Sequence, residues 1–212
     1  LASGGYIGGG LYHSQTIEAA LSAFPGARIV YPSFADDAAG LLRTSIRSKG
    51  FTVFMEPKAL YNAVEASSFV PDDFEVPFGK ARIRRQGNDL SIITYGNTTH
   101  FCLNVAGRIE KEENCSIEVI DLRSLIPLDK DAILQSVKKT GKVLIVHEDK
   151  VFSGFGAEIA AIISGEMFRH LDAPIQRVGS TFTPVGFHKD LERAILPDEE
   201  RIYKAARELL KF

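Results

Sequence analysis

Cysteine is scarce in this chain, with Cys102 and Cys115 the only two. Neither lies in a Cys-x-x-Cys pair or a Cys/His group, which argues against a disulfide scaffold or a structural zinc site. Free, reduced thiols of a cytoplasmic-type compartment are the expectation. An excess of either charge is also missing. The 25 Lys and Arg against 27 Asp and Glu give a formal net charge of −2, without the basic surplus that nucleic-acid binding needs. No apolar run approaches the ~20 residues of a bilayer-crossing helix. The opening Leu1-Ala2-Ser3-Gly4-Gly5-Tyr6-Ile7-Gly8-Gly9-Gly10 has neither the basic start nor the apolar core of a secretion signal. Internal repeats and low-complexity segments are lacking too.

What is present is ordinary globular composition, 45% hydrophobic and 25% charged. The 212 residues suit one large domain or two small ones, at roughly 150 residues per domain. A chain that opens on Leu1 inside a Gly-rich loop reads as part of something longer.

The residue pattern predicts alternating elements. A short helix is expected over 14–24, stopped by Pro25-Gly26, then a strand over Arg28–Tyr31. Ser33-Phe34-Ala35-Asp36 has the spacing of a capping box, opening a helix through Arg47. Thr52–Glu56 is the next strand, completing a βαβ unit. Residues 57 to about 88 lack periodicity and read as an interdomain connection. Beyond them, strands are expected at Leu90–Tyr95, Ile117–Leu122, Lys142–His147 and Pro174–Val178. Helices are expected over 98–112, 129–140, 154–171 and 198–210, the last with Ile202, Ala205, Ala206, Leu209 and Leu210 on one face. Such alternation defines an α/β fold with a mostly parallel sheet.

Several residues invite a chemical reading. Tyr12-His13-Ser14-Gln15 follows the glycines and is expected to begin a helix. A helix N-terminus disfavours an imidazolium, which would leave His13 a neutral acid/base at the mouth of a cleft. The competing reading is a packed histidine satisfied by backbone groups. Ser153-Gly154-Phe155-Gly156-Ala157-Glu158 follows a strand and opens a helix, but lacks the third glycine of a dinucleotide site and reads as a tight turn. His147-Glu148-Asp149 ends a strand, where open α/β sheets place ligands; ordering the turn and a domain contact is its expected role. Glu56-Pro57-Lys58 reads either as an active-site rim or as a structural ion pair. His100, His170 and His188 stand without partners, with surface or capping roles expected.

A longer register of motifs ties these residues together. Gly8-Gly9-Gly10-Leu11-Tyr12-His13-Ser14-Gln15 is followed by Phe24-Pro25-Gly26, Val30-Tyr31-Pro32-Ser33 and Phe54-Met55-Glu56-Pro57-Lys58-Ala59-Leu60-Tyr61. Val76-Pro77-Phe78-Gly79-Lys80-Ala81, Asp121-Leu122-Arg123-Ser124-Leu125-Ile126-Pro127-Leu128-Asp129 and Ala173-Pro174-Ile175-Gln176-Arg177-Val178 continue the order. The chain resembles, over essentially its whole length, the β subunits of thiamine-diphosphate-dependent 2-oxo acid dehydrogenases of the branched-chain (2-oxoisovalerate) type.

The resemblance implies residues 1–85 as the C-terminal part of a pyrimidine-binding domain plus linker. It implies residues 86–212 as a transketolase C-terminal-like domain. It implies a share in the oxidative decarboxylation of branched-chain 2-oxo acids and acyl transfer to lipoamide. His13 would reach the thiamine site as proton donor, with Tyr12, Ser14 and Gln15 beside the substrate channel. Thiamine diphosphate and Mg²⁺ would be held mainly by an α subunit or α portion, and the glutamate that activates the aminopyrimidine belongs to a part of the domain that this sequence does not contain. Some β subunits of the family hold a structural potassium ion near the positions of Ser45, Ser48 and Gly50, where a cysteine, an aspartate and an asparagine can occur, and the loss of the anionic aspartate weakens the case for potassium here. The implied partners are the α portion, the subunit-binding domain of a dihydrolipoyl acyltransferase and a lipoyl domain. An oligomer is expected, in a bacterial cytoplasm or a mitochondrial matrix. Leu11-Tyr12 favours the branched-chain type over pyruvate or acetoin enzymes. Two further readings stay open: a docking module without turnover of its own, and the related half of a transketolase or deoxyxylulose-phosphate synthase.

Overall fold

The computed structural model describes residues 1–212. The first region runs β1 (Ala2–Ser3), α1 (Gly10–His13), α2 (Glu18–Ser22), β2 (Arg28–Val30), α3 (Ala35–Arg47), β3 (Thr52–Phe54) and β4 (Glu56–Pro57). Two short 3₁₀ turns, Lys58–Leu60 and Val64–Ala66, lead toward β5 (Arg82–Arg85). The second region follows as β6 (Leu90–Thr94), α4 (Thr98–Glu113), β7 (Ile117–Asp121), β8 (Ser124–Ile126), α5 (Lys130–Thr140), β9 (Val143–Lys150), α6 (Gly156–Met167), β10 (Gln176–Ser180), α7 (Lys189–Ile195) and α8 (Glu199–Leu210).

The main sheet has the order β10-β9-β6-β7-β5, parallel throughout except for β5, which joins antiparallel at the edge. Every residue of β6 and β7 is buried, as expected where helices cover both faces of a parallel sheet. Side chains alternate between the two faces. Ile92, Val119 and Leu144 pack under α4 and α8, while Ile93, Ile120 and Ile145 pack under α5 and α6. The second of these cores also takes in Ile29, Tyr31, Val53 and Met55 of the first region. The two regions therefore share one core.

They also share a sheet. β2 pairs parallel with β3 and antiparallel with β8, which arrives from the second region (Ile29↔Ile126, Val30↔Ser124). A buried ionic knot closes the seam. Asp37 of α3 accepts from Arg84 and, at 2.7 Å, from Arg123, while Arg84 Nη2 reaches Asp121 Oδ2 at 2.8 Å. β5, on the near side of the expected division at 85/86, adds to the sheet of the second region.

Some local expectations give way to these contacts. The helix expected over 14–24 is reduced to Glu18–Ser22, because the Gln15 carbonyl accepts from Gly4 N and the Ser14 hydroxyl turns inward. No capping box forms at Ser33. Its hydroxyl donates to Asp121 Oδ1 at 3.0 Å and lies 2.9 Å from Thr99 Oγ1, and α3 begins after Phe34 with no side-chain cap. The stretch 57–88, expected to lack structure, holds the two 3₁₀ turns and β5. α7 and β8 carry no clear periodicity in the sequence and were not expected.

Candidate functional site

The Gly-rich segment folds as a loop that ends in the one-turn helix α1, with His13 as its last residue. This corrects the expectation of a helix N-terminus at His13. Gly10, at φ +63°, breaks the approach, and Ser14 leaves the helix in a non-helical conformation. The macrodipole argument therefore does not apply to this imidazole. Instead, the His13 carbonyl accepts a hydrogen bond from the Lys58 ammonium.

His13 is exposed, and Tyr12 before it is 88% exposed. A packed histidine satisfied by backbone groups is not what the fold builds. Ser14, by contrast, is buried and faces the second region, accepting from Gly9 N at 3.1 Å and donating to Glu192 Oε1 at 3.3 Å. Gln15 Oε1 accepts from Lys150 Nζ at 2.8 Å. Of the four residues singled out in the sequence, only Tyr12 and His13 point to solvent together.

Behind this loop lies a buried polar layer between the regions. Glu148 Oε1 accepts from Gly5 N at 2.5 Å. Burial pushes its carboxyl up to about 7, against the pull of that amide and of Lys58. Glu18 is fully buried on α2, with Oε1 accepting from Tyr95 OH at 3.0 Å and Oε2 without a partner in the chain. Burial first, and the charge of Asp149 second, raise it to about 8. A carboxyl in such surroundings takes up a proton readily. Asp149 Oδ1 accepts from Lys150 N at 2.8 Å and forms an ion pair with Lys150 Nζ at 3.3 Å.

His147 sits beneath this layer with neither ring nitrogen hydrogen-bonded. Burial lowers its pKa to about 4, so it is neutral at physiological pH. Its ring lies parallel to Tyr95 at 6.2 Å and is closed in by glycines. A Cβ at Gly156 would come within 2.5 Å of its Cδ2 and Nε2, and one at Gly179 within 3.1 Å of its Cε1. The Ser153–Glu158 turn, with Ser153 at φ +58°, is thus shaped around a histidine. His100 is buried rather than superficial, its Nε2 2.8 Å from the Ser33 carbonyl. His188 caps α7 by accepting from Asp190 N.

An apolar recess of about 260 Å³ opens at the C-terminal ends of β2 and β3, lined by Pro32, Phe34, Phe54, Leu60 and Tyr61. Glu56 stands at its rim and accepts from Tyr61 OH at 2.7 Å. The Glu56-Pro57-Lys58 segment thus joins the recess to the His13 loop and forms no internal ion pair. No group of three or more His, Cys, Asp or Glu side chains is arranged to hold a metal ion. Ser45 spends its hydroxyl on the Leu41 carbonyl at 2.7 Å. Both cysteines are free, and burial holds the Cys102 thiol well above its usual range. No helix is long and apolar enough to cross a membrane.

Sequence reasoning missed Glu18 and Glu192. Glu18 had a signal, a carboxylate within the apolar stretch Thr16–Phe24. Glu192 had none, since α7 itself was not legible.

Comparison with known proteins gives a consistent outline. The family model for the transketolase pyrimidine-binding domain matches residues 2–64, and that for the transketolase C-terminal domain matches residues 79–202. The chain is 41% identical to the 2-oxoisovalerate dehydrogenase β subunit of Bacillus subtilis, covering 99% of this chain and 64% of that protein. It is 41% identical to the mitochondrial 2-oxoisovalerate dehydrogenase β subunit of Dictyostelium discoideum (96% and 54% covered). It is 39% identical to the mitochondrial pyruvate dehydrogenase E1 component β subunit of Saccharomyces cerevisiae (98% and 57%). The chain therefore spans less than two thirds of the length of these relatives. Among solved structures, a split-gene transketolase described as an inactive β4 tetramer superposes with a TM-score of 0.76 at 22% identity, covering 99% of this chain and 65% of that one, a likeness of fold.

Proposed function

The chain belongs to the transketolase family, carrying that family's pyrimidine-binding and C-terminal domains, and from this premise we propose that it serves as the β-subunit portion of the decarboxylating component of a 2-oxo acid dehydrogenase complex. Branched-chain 2-oxo acids are the proposed substrates, with pyruvate the second candidate. Both types of β subunit are among the relatives, at 41% and 39% identity.

The observation that carries the reading is the exposed His13 imidazole at the end of a loop anchored on both regions. When lipoamide accepts an acyl group, the dithiolane S–S bond opens and one sulfur leaves as a thiolate that needs a proton. An imidazole within reach of that sulfur can act as its proton donor. Tyr12 flanks His13 at the surface, whereas Ser14 and Gln15 support it from behind by bonds to Glu192 and Lys150.

Thiamine diphosphate supplies the electron sink for decarboxylation when bound. This chain's residues fit only part of that group. The apolar recess beside Glu56 suits a flat ring, but the chain has no cluster able to hold a metal ion. The diphosphate and Mg²⁺ are assigned to an α portion. The proposed partners are that portion, a lipoyl domain and the subunit-binding domain of the acyltransferase core.

Calorimetric titration with that subunit-binding domain tests the placement, and saturable binding is expected. A folded chain that does not bind would sink it and favour a transketolase-type assignment. In the assembled enzyme, His13→Ala is expected to lower acyl transfer to lipoamide by roughly 10²–10⁴-fold, while reduction of an artificial dye acceptor after decarboxylation falls far less. Equal loss in both half-reactions counts against the proton-donor role.

A further inference from the structure

We infer that Glu192, seconded by Glu148, is a positioning residue for His13: carboxylates of the second region gather the donors of the 4–14 loop and so set where the imidazole stands. The inference deepens the proton-donor reading of His13 and rests on it.

A four-residue helix entered through a glycine at φ +63° does not hold its own shape in water. The anchors come from elsewhere in the chain. Glu192 accepts from Gly8 N at 3.3 Å and 3.2 Å through its two oxygens, and from Ser14 Oγ at 3.3 Å. Glu148 accepts from Gly5 N at 2.5 Å, and Tyr6 OH donates to the Pro197 carbonyl at 2.6 Å. Glu192 is 5% exposed, and its hydrogen-bonded partners are neutral donors of this one loop. Burying a carboxylate this way is costly compared with an apolar side chain of similar volume. What it gains is geometry: three bonds bracket residues 8–14 from one side.

The bracket is tight. A Cβ at Gly9 would lie 2.8 Å from His13 Cβ and 2.9 Å from Ser14 Oγ, so the Gly9 backbone runs close against the turn that ends in His13 and leaves no room for a side chain between them. The Lys58 ammonium on the His13 carbonyl fixes the far end. His13 is thereby held from the second region by Glu192 and from the first by Lys58.

The test uses the complete enzyme with its α portion. In Glu192→Ala, backbone amide hydrogen exchange across residues 4–14 is expected to rise. Acyl transfer to lipoamide should fall about 10- to 100-fold through kcat, as for a misplaced catalytic group. KM for the 2-oxo acid and dye reduction should change little. Glu192→Gln, which keeps an acceptor at the Oε1 position, should restore most of the rate. On a His13→Ala background, Glu192→Ala should cost nothing further.

Unchanged exchange in a folded Glu192→Ala enzyme overturns the bracket. A further loss of the same size on the His13→Ala background overturns action through His13. If His13→Ala alone retains full lipoamide activity, the proton-donor reading fails, and the catalytic purpose of the bracket fails with it, while the exchange arm still shows whether the bracket exists. Should Glu192→Ala not assemble, Ser14→Ala removes one of the same bonds from the loop side. It must raise exchange at Gly8-Gly9, and unchanged exchange overturns the inference.

Discussion

The sheet β10-β9-β6-β7 and the loop that carries His13 are held by opposite means. The sheet is secured by many interchangeable apolar contacts, with Ile92, Ile93, Val119, Ile120, Leu144 and Ile145 all fully buried between helices. The loop is secured by a few polar bonds that are not interchangeable, each reaching it from a different part of the chain. Apolar burial is non-directional and tolerates volume-conserving exchange. A hydrogen bond to a buried carboxylate is directional, and removing one partner leaves the other stranded. Stability is concentrated in the sheet and positioning in the loop, so changes to each should fail in different ways.

The largest effect is expected where the two kinds of contact meet. Arg84→Ala removes the one guanidinium that bonds both Asp37 and Asp121, each fully buried in the knot that joins α3 to β7, leaving Asp37 to Arg123 and Asp121 without a cation in hydrogen-bond reach. A loss of about 3–5 kcal/mol is expected from such a break, read by chemical denaturation as one cooperative transition. Two separated transitions would show that the regions do not depend on each other. A smaller loss, about 1–3 kcal/mol for overpacking, is expected from Gly156→Ala, whose methyl would meet the His147 ring within 2.5 Å. Thermal denaturation checks it, and a Tm equal to the parent's would mean that His147 is free to move.

A third effect removes no atom. Glu18 and Glu148 are raised from 4.5 to about 8 and about 7 in the fold. Between the unfolded and folded pKa values, the folded state binds protons that the unfolded state does not, so stability falls as pH rises from about 4.5 to about 8 and then levels off. His147, neutral down to about 4, does not change charge in that window. The gain on going from pH 8 to pH 5 is read by chemical denaturation at the two pH values. Glu18→Gln should flatten the slope. An unaltered slope would assign it to other groups.

The same contrast explains what was legible in the sequence. β6, β7 and β9 announce themselves as short apolar runs, and α8 by the spacing of Ile202, Ala205, Ala206 and Leu209, because their partners are generic. Ser33 shows the opposite. Its spacing to Asp36 satisfies a local capping rule, yet its hydroxyl goes to Thr99 and Asp121, far along the chain. His13 was found as a residue but given the wrong end of a helix, since Gly10 and Ser14 take their conformations from Glu192 and the neighbouring loop. Glu192 has no local pattern to betray it. Its purpose exists only where two distant segments meet.

The pairing of β8 with β2 also sets an order of events. As the chain is synthesised, β2 has β3 for a neighbour long before Ser124–Ile126 emerges to occupy its other edge. Ile29, Tyr31 and Met55 wait likewise for Ile93, Ile120 and Ile145. Folding the N-terminal unit to completion before the next begins, the usual course for successive domains, is closed to this polypeptide. The sheet around β2 is complete only once β8 arrives, and until then an open strand edge stands exposed to any other chain that offers a partner.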